Sequence, residues 1–249
     1  ARDLTVHIDA HRFTFTADEY HLRSESSPPG QPSPLTATSG AGGELLRRDL
    51  VREVAFRRPD AAWFGGRGDR GDQVWYTAST LTLATDRDRT WAEAPVPRSV
   101  DAALDDIGAR IELLRPMTDL LSGALWDAGL APERAGGWVA IETIGKRTCD
   151  RLVYSQKSVD WQLWIEEGPN ALPCQLMLVY KLEPGPARST LIFRDWNLAA
   201  GSPATRFRPA IPQGYERLEE LARPGVPSPT SPPPPAKPET TAVPAVGEP

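Results

Sequence analysis

The chain has 249 residues, 40% hydrophobic and 24% charged, with a net charge of −5 and a pI near 5.4. That length holds one large domain or two small ones with ample core, and an acidic balance without a basic stripe argues against a nucleic-acid partner. No stretch reaches the ~18 consecutive apolar residues of a membrane helix, and two cysteines are too few for a disulfide framework or a cysteine-based zinc site.

Residues 4–20 read as extended. Leu4, Val6, Ile8 and Ala10 alternate with polar neighbours, and Phe13 and Phe15 then carry the apolar face, so the parity flips near Arg12. A bulge there, or two separate extended pieces, accounts for the flip. Residues 24–43 are rich in Ser, Pro, Gly and Thr and read as a long loop insertion. The chain becomes extended again from about Leu50 to Phe64. Four glycines between Gly65 and Asp72 predict a turn, followed by short strands at Val74–Tyr76 and Leu81–Ala84.

Two helices follow. Ser99 suits an N-cap, and Val100, Ala103, Leu104, Ile107, Ile111 and Leu114 recur at spacings of three and four. Pro116 suits the first turn of a second helix, whose apolar set includes Met117, Leu120, Leu121 and Leu125, closing near Gly129. From Trp138 the pattern is a meander with runs at about 137–146, 149–156, 159–167, 173–183 and 188–198. Short spacers such as Gly145-Lys146 and Gly168-Pro169-Asn170 imply antiparallel neighbours. Both faces of these strands are partly apolar, so both need cover. Cys149 and Cys174 begin strands two positions apart, which on a ~4.8 Å strand spacing predicts Cα atoms roughly 9–10 Å apart. A disulfide wants less than about 7 Å, so two free thiols are expected. Residues 223–249, with Pro232 to Pro235, read as a disordered or extended tail.

Little chemistry is visible. His7, Asp9 and His11 share one side of a strand, which suits a metal but reads more simply as a solvent-facing row. There is no Gly-x-Ser-x-Gly elbow and no phosphate-cradling glycine loop. The tandem Arg67-Gly68-Asp69 and Arg70-Gly71-Asp72 resembles an adhesion tripeptide, but a Gly-Asp turn explains it. Asp150, Asp160, Glu166, Glu167 and Asp195 read as solvated strand-end carboxylates. No cofactor is expected, and no enzymatic activity.

The segments Cys149–Tyr154, Val159-Asp160-Trp161-Gln162-Leu163-Trp164-Ile165-Glu166 and Val179-Tyr180-Lys181, together with Phe13–Asp18, Arg57–Asp60, Val100–Asp105, Phe193–Asn197 and Phe207–Pro209, carry a resemblance. They resemble an uncharacterised family of predicted periplasmic proteins similar to the lipoprotein-carrier superfamily, LolA and LolB. The resemblance covers roughly residues 10–220 and implies an α+β fold. A strongly curved antiparallel sheet, an incomplete barrel, would hold a helix pair against its concave face. It also implies export to the periplasm, and a chain opening on Ala1 is expected of a mature chain after signal-peptide removal, or of a truncated product. The family usually begins with an amphipathic helix, whereas this chain begins extended.

The expected organisation is therefore a curved-sheet domain at 1–222, with a 24–43 insertion and a 100–129 helical lid, and a proline-rich tail at 223–249. The expected function is non-enzymatic binding of a lipid or acyl-like ligand in the cleft between sheet and helices. The candidate lining is Trp161, Leu163, Ile165, Leu176, Leu178, Leu191 and Phe193 from the strands, with Leu104, Ile107 and Leu121 from the helices. The alternative is an accessory subunit of an envelope complex that uses the insertion, the tail and an outward-facing Trp164 as contacts for a protein partner.

Overall fold

The computed structural model describes residues 12–24, 45–68, 71–111, 114–122, 135–182, 187–199, 201–219 and 221. His7, Asp9 and His11, the 24–43 insertion beyond Ser24, the end of the predicted lid and the 223–249 tail lie outside them.

Chain order begins β1 (Arg12–Ser24), β2 (Leu45–Arg57), β3 (Ala61–Gly68), β4 (Gln73–Thr77), β5 (Thr80–Thr85) and β6 (Thr90–Pro95). Helices α1 (Val100–Arg110) and α2 (Arg115–Ser122) follow. Then come β7 (Ala135–Ile144), β8 (Arg147–Ser155), β9 (Val159–Glu166), β10 (Pro173–Tyr180), β11 (Ala187–Asn197) and β12 (Glu216–Arg217). Among the described residues these twelve strands form one open sheet in the order β12-β6-β5-β4-β3-β2-β1-β11-β10-β9-β8-β7. Every pairing is antiparallel except β12 on β6. The β1–β11 pairing is the seam joining the two halves of the chain.

The meander matches the sequence expectation strand for strand, because each break carries turn chemistry. Gly145, at φ +64°, takes the left-handed conformation that the β7–β8 turn needs. Two expectations differ. The extended run from Leu50 to Phe64 is a hairpin, turned at Arg58-Pro59-Asp60. Gly65 and Gly66 lie inside β3 rather than in a turn. A Cβ on Gly65 would come within 2.1 Å of the Trp63 indole, so the glycine is what lets that ring lie flat along the strand.

Helix α1 follows its predicted spacing as far as Arg110, whereas Ile111 is its C-cap and Leu114 lies beyond it, before α2. Val100, Ala103, Leu104 and Ile107 are buried on one face, and Asp101 in the first turn and Arg110 in the last complement the dipole. Ser99 occupies the N-cap position but makes no side-chain cap bond. In α2, Pro116, Met117, Leu120 and Leu121 are buried. The pair packs closely where a Cβ on Gly108 would come within 2.3 Å of the Thr118 hydroxyl. Both helices share one apolar cluster with inward residues of β1–β5 and β8–β11. The sheet therefore curves around the helix pair, and the pair covers its concave face.

Cys149 and Cys174 form a disulfide, with Cα atoms 6.8 Å apart, contrary to the expectation of free thiols. The flat-ladder spacing fails because Cys174 sits at a β-bulge. Its neighbours Pro173 and Gln175 pair with Ile165 and Trp164, and Cys174 itself pairs with neither. A bulge bends the strand and re-aims its extra residue. Trp164 is likewise not outward and free. It is buried on the outer face against both cysteines, donates to Glu142 at 2.7 Å and lies under the Arg151 guanidinium.

Candidate functional site

Directly opposed residues in antiparallel strands share a face, so the register maps the concave lining. One row runs Glu19–Leu191–Leu176–Leu163–Leu152–Trp138 across β1, β11, β10, β9, β8 and β7. Five strand steps make it ~24 Å long. The next row runs His21–Ser189–Leu178–Trp161–Tyr154. The structure thus brings all ten expected lining residues into one cluster, with Leu104, Ile107 and Leu121 on the helix side. All ten are buried, so in this conformation they pack against one another as core.

The apolar rows end differently on their two sides. At the free edge, Trp138 is 52% exposed, with Val139 and Ile141 beside it at similar exposure. A bulge between Trp138 and Ala140 interrupts the ladder there, and the Trp138 indole donates to Asp150 at 2.7 Å. At the seam the rows end in charge. Glu19, His21, Arg52 and Ser189 are each at most 3% exposed. Arg52 Nε donates to Glu19 Oε1 at 2.8 Å. His21 Nε2 lies 3.2 Å from Glu19 Oε2, and His21 Nδ1 lies 2.9 Å from Ser189 Oγ. Burial alone would push the Glu19 carboxyl up. The Arg52 charge and the hydrogen bonds from His21 and Arg52 outweigh it and hold the carboxyl below its ordinary value. Glu19 is therefore the acceptor from His21 Nε2, and the Ser189 hydroxyl completes the contact at Nδ1.

Ser189, His21 and Glu19 are ordered like a nucleophile–base–carboxylate relay. Two features set them apart from one. The carboxylate is already bound by Arg52, and the serine hydroxyl is sealed in the core. Sequence reading passes over this knot although its signal is present. Phe13, Phe15, Ala17, Glu19 and His21 keep one parity, as do Leu50, Arg52 and Val54, so the apolar faces of β1 and β2 run on into charge.

Of the five carboxylates considered as acid–base candidates, three are engaged elsewhere: Asp150, buried rather than solvated, with Trp138, Asp160 with Lys181, and Asp195 with Arg194. Among the described residues no group of three or more His, Cys, Asp or Glu side chains is placed to hold a metal. On the outer face of β2–β4, Trp63, Trp75, Arg67, Arg206, Arg208 and Glu53 line an open groove of about 510 Å³.

An open antiparallel sheet wrapped around a helix pair, with an apolar concave face, defines a trough-shaped protein with a helical cover. The chain belongs to the family described as predicted periplasmic protein (DUF2092), whose model matches residues 39–219. The periplasmic placement expected from the sequence agrees with that family, and a Cys149–Cys174 disulfide suits an oxidising compartment. Among curated proteins none matches this chain. Among solved structures, the chain is similar to an uncharacterised conserved protein from Thermus thermophilus, at 10% identity and TM-score 0.45 over 86% of this chain and 93% of that one. It is similar to a LolA superfamily protein from Nitrosomonas europaea at 10% identity and TM-score 0.37, over 82% and 93%. It is also similar to the Pseudomonas aeruginosa MucA/MucB complex structure, at 10% identity and TM-score 0.40, over 82% and 58%. At these scores the likeness carries no argument, and the open curved sheet stands on its own strand pairing.

Proposed function

We propose that this is a non-enzymatic envelope protein that binds a lipid or acyl-like ligand between the curved sheet and the helix pair. The observation that carries the reading is the unbroken apolar row from half-exposed Trp138 to buried Leu191. An exposed apolar rim continuous with a buried apolar face is a ligand entrance by its chemistry, and each methylene buried along it contributes about 0.8 kcal/mol.

The lining is packed in this conformation, so binding needs the helix pair to shift. Its ties to the rest of the chain suit that role. They include the Val100 N–H to Pro59 carbonyl bond, the Arg58–Asp101 pair and the Arg110 bond to the Leu221 carbonyl. Contact between Gly108 and Thr118 lets the two helices move as one body.

The test is titration of the full chain with the neutral dye 1-N-phenylnaphthylamine, followed by displacement with long-chain lipids. Saturable, displaceable binding is expected. The pair Trp138→Ser with Ile141→Ser is expected to weaken it about tenfold while shifting stability by less than about 1 kcal/mol, because both side chains are half-exposed. An absence of saturable binding, or equal binding by the variant, overturns the reading.

A second reading, an accessory subunit, is favoured by the outer groove. Three arginines face one carboxylate beside two tryptophans there, which suits an acidic protein segment. The insertion and tail expected to supply the contacts lie outside the described residues. Failure of dye and lipid binding would leave this groove as the functional face.

A further inference from the structure

The knot at the seam contains one group whose chemistry is unfinished. Arg52 is 2% exposed, and its Nε and Nη2 are both spent on Glu19, at 2.8 and 3.4 Å. Its Nη1 is buried and donates to nothing. A buried guanidinium N–H without an acceptor loses its hydration with nothing in return. Such donors are rare in native cores, and an orphan of this kind points to an absent acceptor.

The surroundings say what sort of acceptor fits. On the concave side, Arg52 is flanked in register by Gly66 on β3 and Ala17 on β1, the two smallest neighbours a guanidinium can have, and neither carries a side-chain acceptor for its outer nitrogen. The charge of the knot is already balanced, since the depressed Glu19 carboxylate sits on Arg52. His21 and Ser189 complete the carboxylate side. A second anion placed here would leave a net negative charge in the core, which is costly unless another group takes a proton. A neutral oxygen acceptor meets the donor without that cost. The apolar row starts one strand step from Glu19, at Leu191, and runs four strand steps, ~19 Å, to the rim.

We propose, resting on the lipid-binding reading above, that Arg52 Nη1 is the head-group contact of the trough. It donates to the carbonyl oxygen of an acyl ester, whose chain then lies along the Leu191–Leu176–Leu163–Leu152 row toward Trp138. The ligand class is thereby narrowed from any lipid to neutral acyl esters, with free fatty-acid anions disfavoured.

The experiment is competition against bound 1-N-phenylnaphthylamine on the full chain at neutral pH. Three ligands of equal chain length are compared: methyl palmitate, methyl hexadecyl ether without the carbonyl, and palmitate anion. Methyl palmitate is expected to displace the dye at roughly tenfold lower concentration than either of the others. In the double variant Glu19→Gln with Arg52→Met, which keeps the knot neutral, the ester and the ether are expected to compete equally. An ester no better than the ether on the wild-type chain, a stronger palmitate anion, or a preference that persists in the double variant overturns the assignment while leaving the lipid-binding reading in place. Absence of any displacement overturns both. If the double variant does not fold, the wild-type ranking of the three ligands alone decides.

Discussion

The two wings of the sheet are closed by different means. In the β2–β5 wing both faces are covered. Helices fill the inside, and on the outside the segment after β11 lays Phe207 against Ala55, Ala61 and Trp63. In the β7–β10 wing the outside is held by a covalent bond, Cys149–Cys174, packed on Trp164, and the inside runs out to exposed Trp138 and Ile141. Between the wings, at the seam, lies the buried ionic knot. The wing whose inner face runs out to an exposed rim is the one held by a covalent bond on its outer face. Its outer covalent bond and its inner open rim belong to one arrangement.

Removing one charge at the seam should do the most damage. Arg52→Met leaves Glu19 buried without its counter-charge and should lower stability by about 3–5 kcal/mol in urea unfolding. Glu19→Gln with Arg52→Met should recover most of that, as neutral pairs in such positions do. Equal losses in the single and double variants would mean that the knot holds the wings by packing rather than by charge.

Breaking the disulfide tests the wings separately. The bridge closes a 25-residue separation, so replacing both cysteines by serine should cost about 3.5 kcal/mol on the loop-entropy model. Amide hydrogen exchange should accelerate in β8–β10 and stay unchanged in β2–β5. A uniform acceleration would show that the two wings open as one unit.

The smallest effect is on the cover itself. Burial pushes the Asp119 carboxyl on α2 up to about 6, with Arg115 opposing and Asp105 adding to the rise. The folded chain therefore holds that proton more tightly than the unfolded chain. Stability from this group is complete below about pH 4, is lost as pH rises through about 6, and stays lost above. Asp119→Asn should accordingly be neutral at low pH and stabilising by roughly 1–3 kcal/mol above pH 6, read as the difference between two unfolding curves. A constant difference across pH would assign the effect to something other than that proton.

Much of this architecture is legible from alternation and turn residues. The β7–β11 meander reads directly because Gly145, the Gly168–Asn170 run and the residues around Pro184 punctuate it. The first helix reads from the three-and-four spacing that starts at Val100, though that spacing runs on past its end at Arg110, and the second reads from Pro116 and the apolar set after it. The β2–β3 turn reads as part of one strand because Arg57 and Arg58 sit between apolar runs with only Pro59-Asp60 to mark the reversal. The disulfide is hidden by a bulge, which changes spacing by one residue and leaves no compositional trace. The knot is hidden for another reason. Parity names the face a residue takes, whereas polarity alone assigns Glu19, His21 and Arg52 to the solvent side, and here the two disagree.

The far margins of the sheet differ in one further respect. At one margin, β12 occupies part of the outer side of β6. At the other, β7 has no strand beyond it among the described residues. Among the described residues β7 offers ten residues of unpaired backbone edge and β6 only the four beyond Trp91, so a strand lent between two copies is best taken up β7 to β7, a self-complementary meeting that halts at a pair instead of propagating into a fibre.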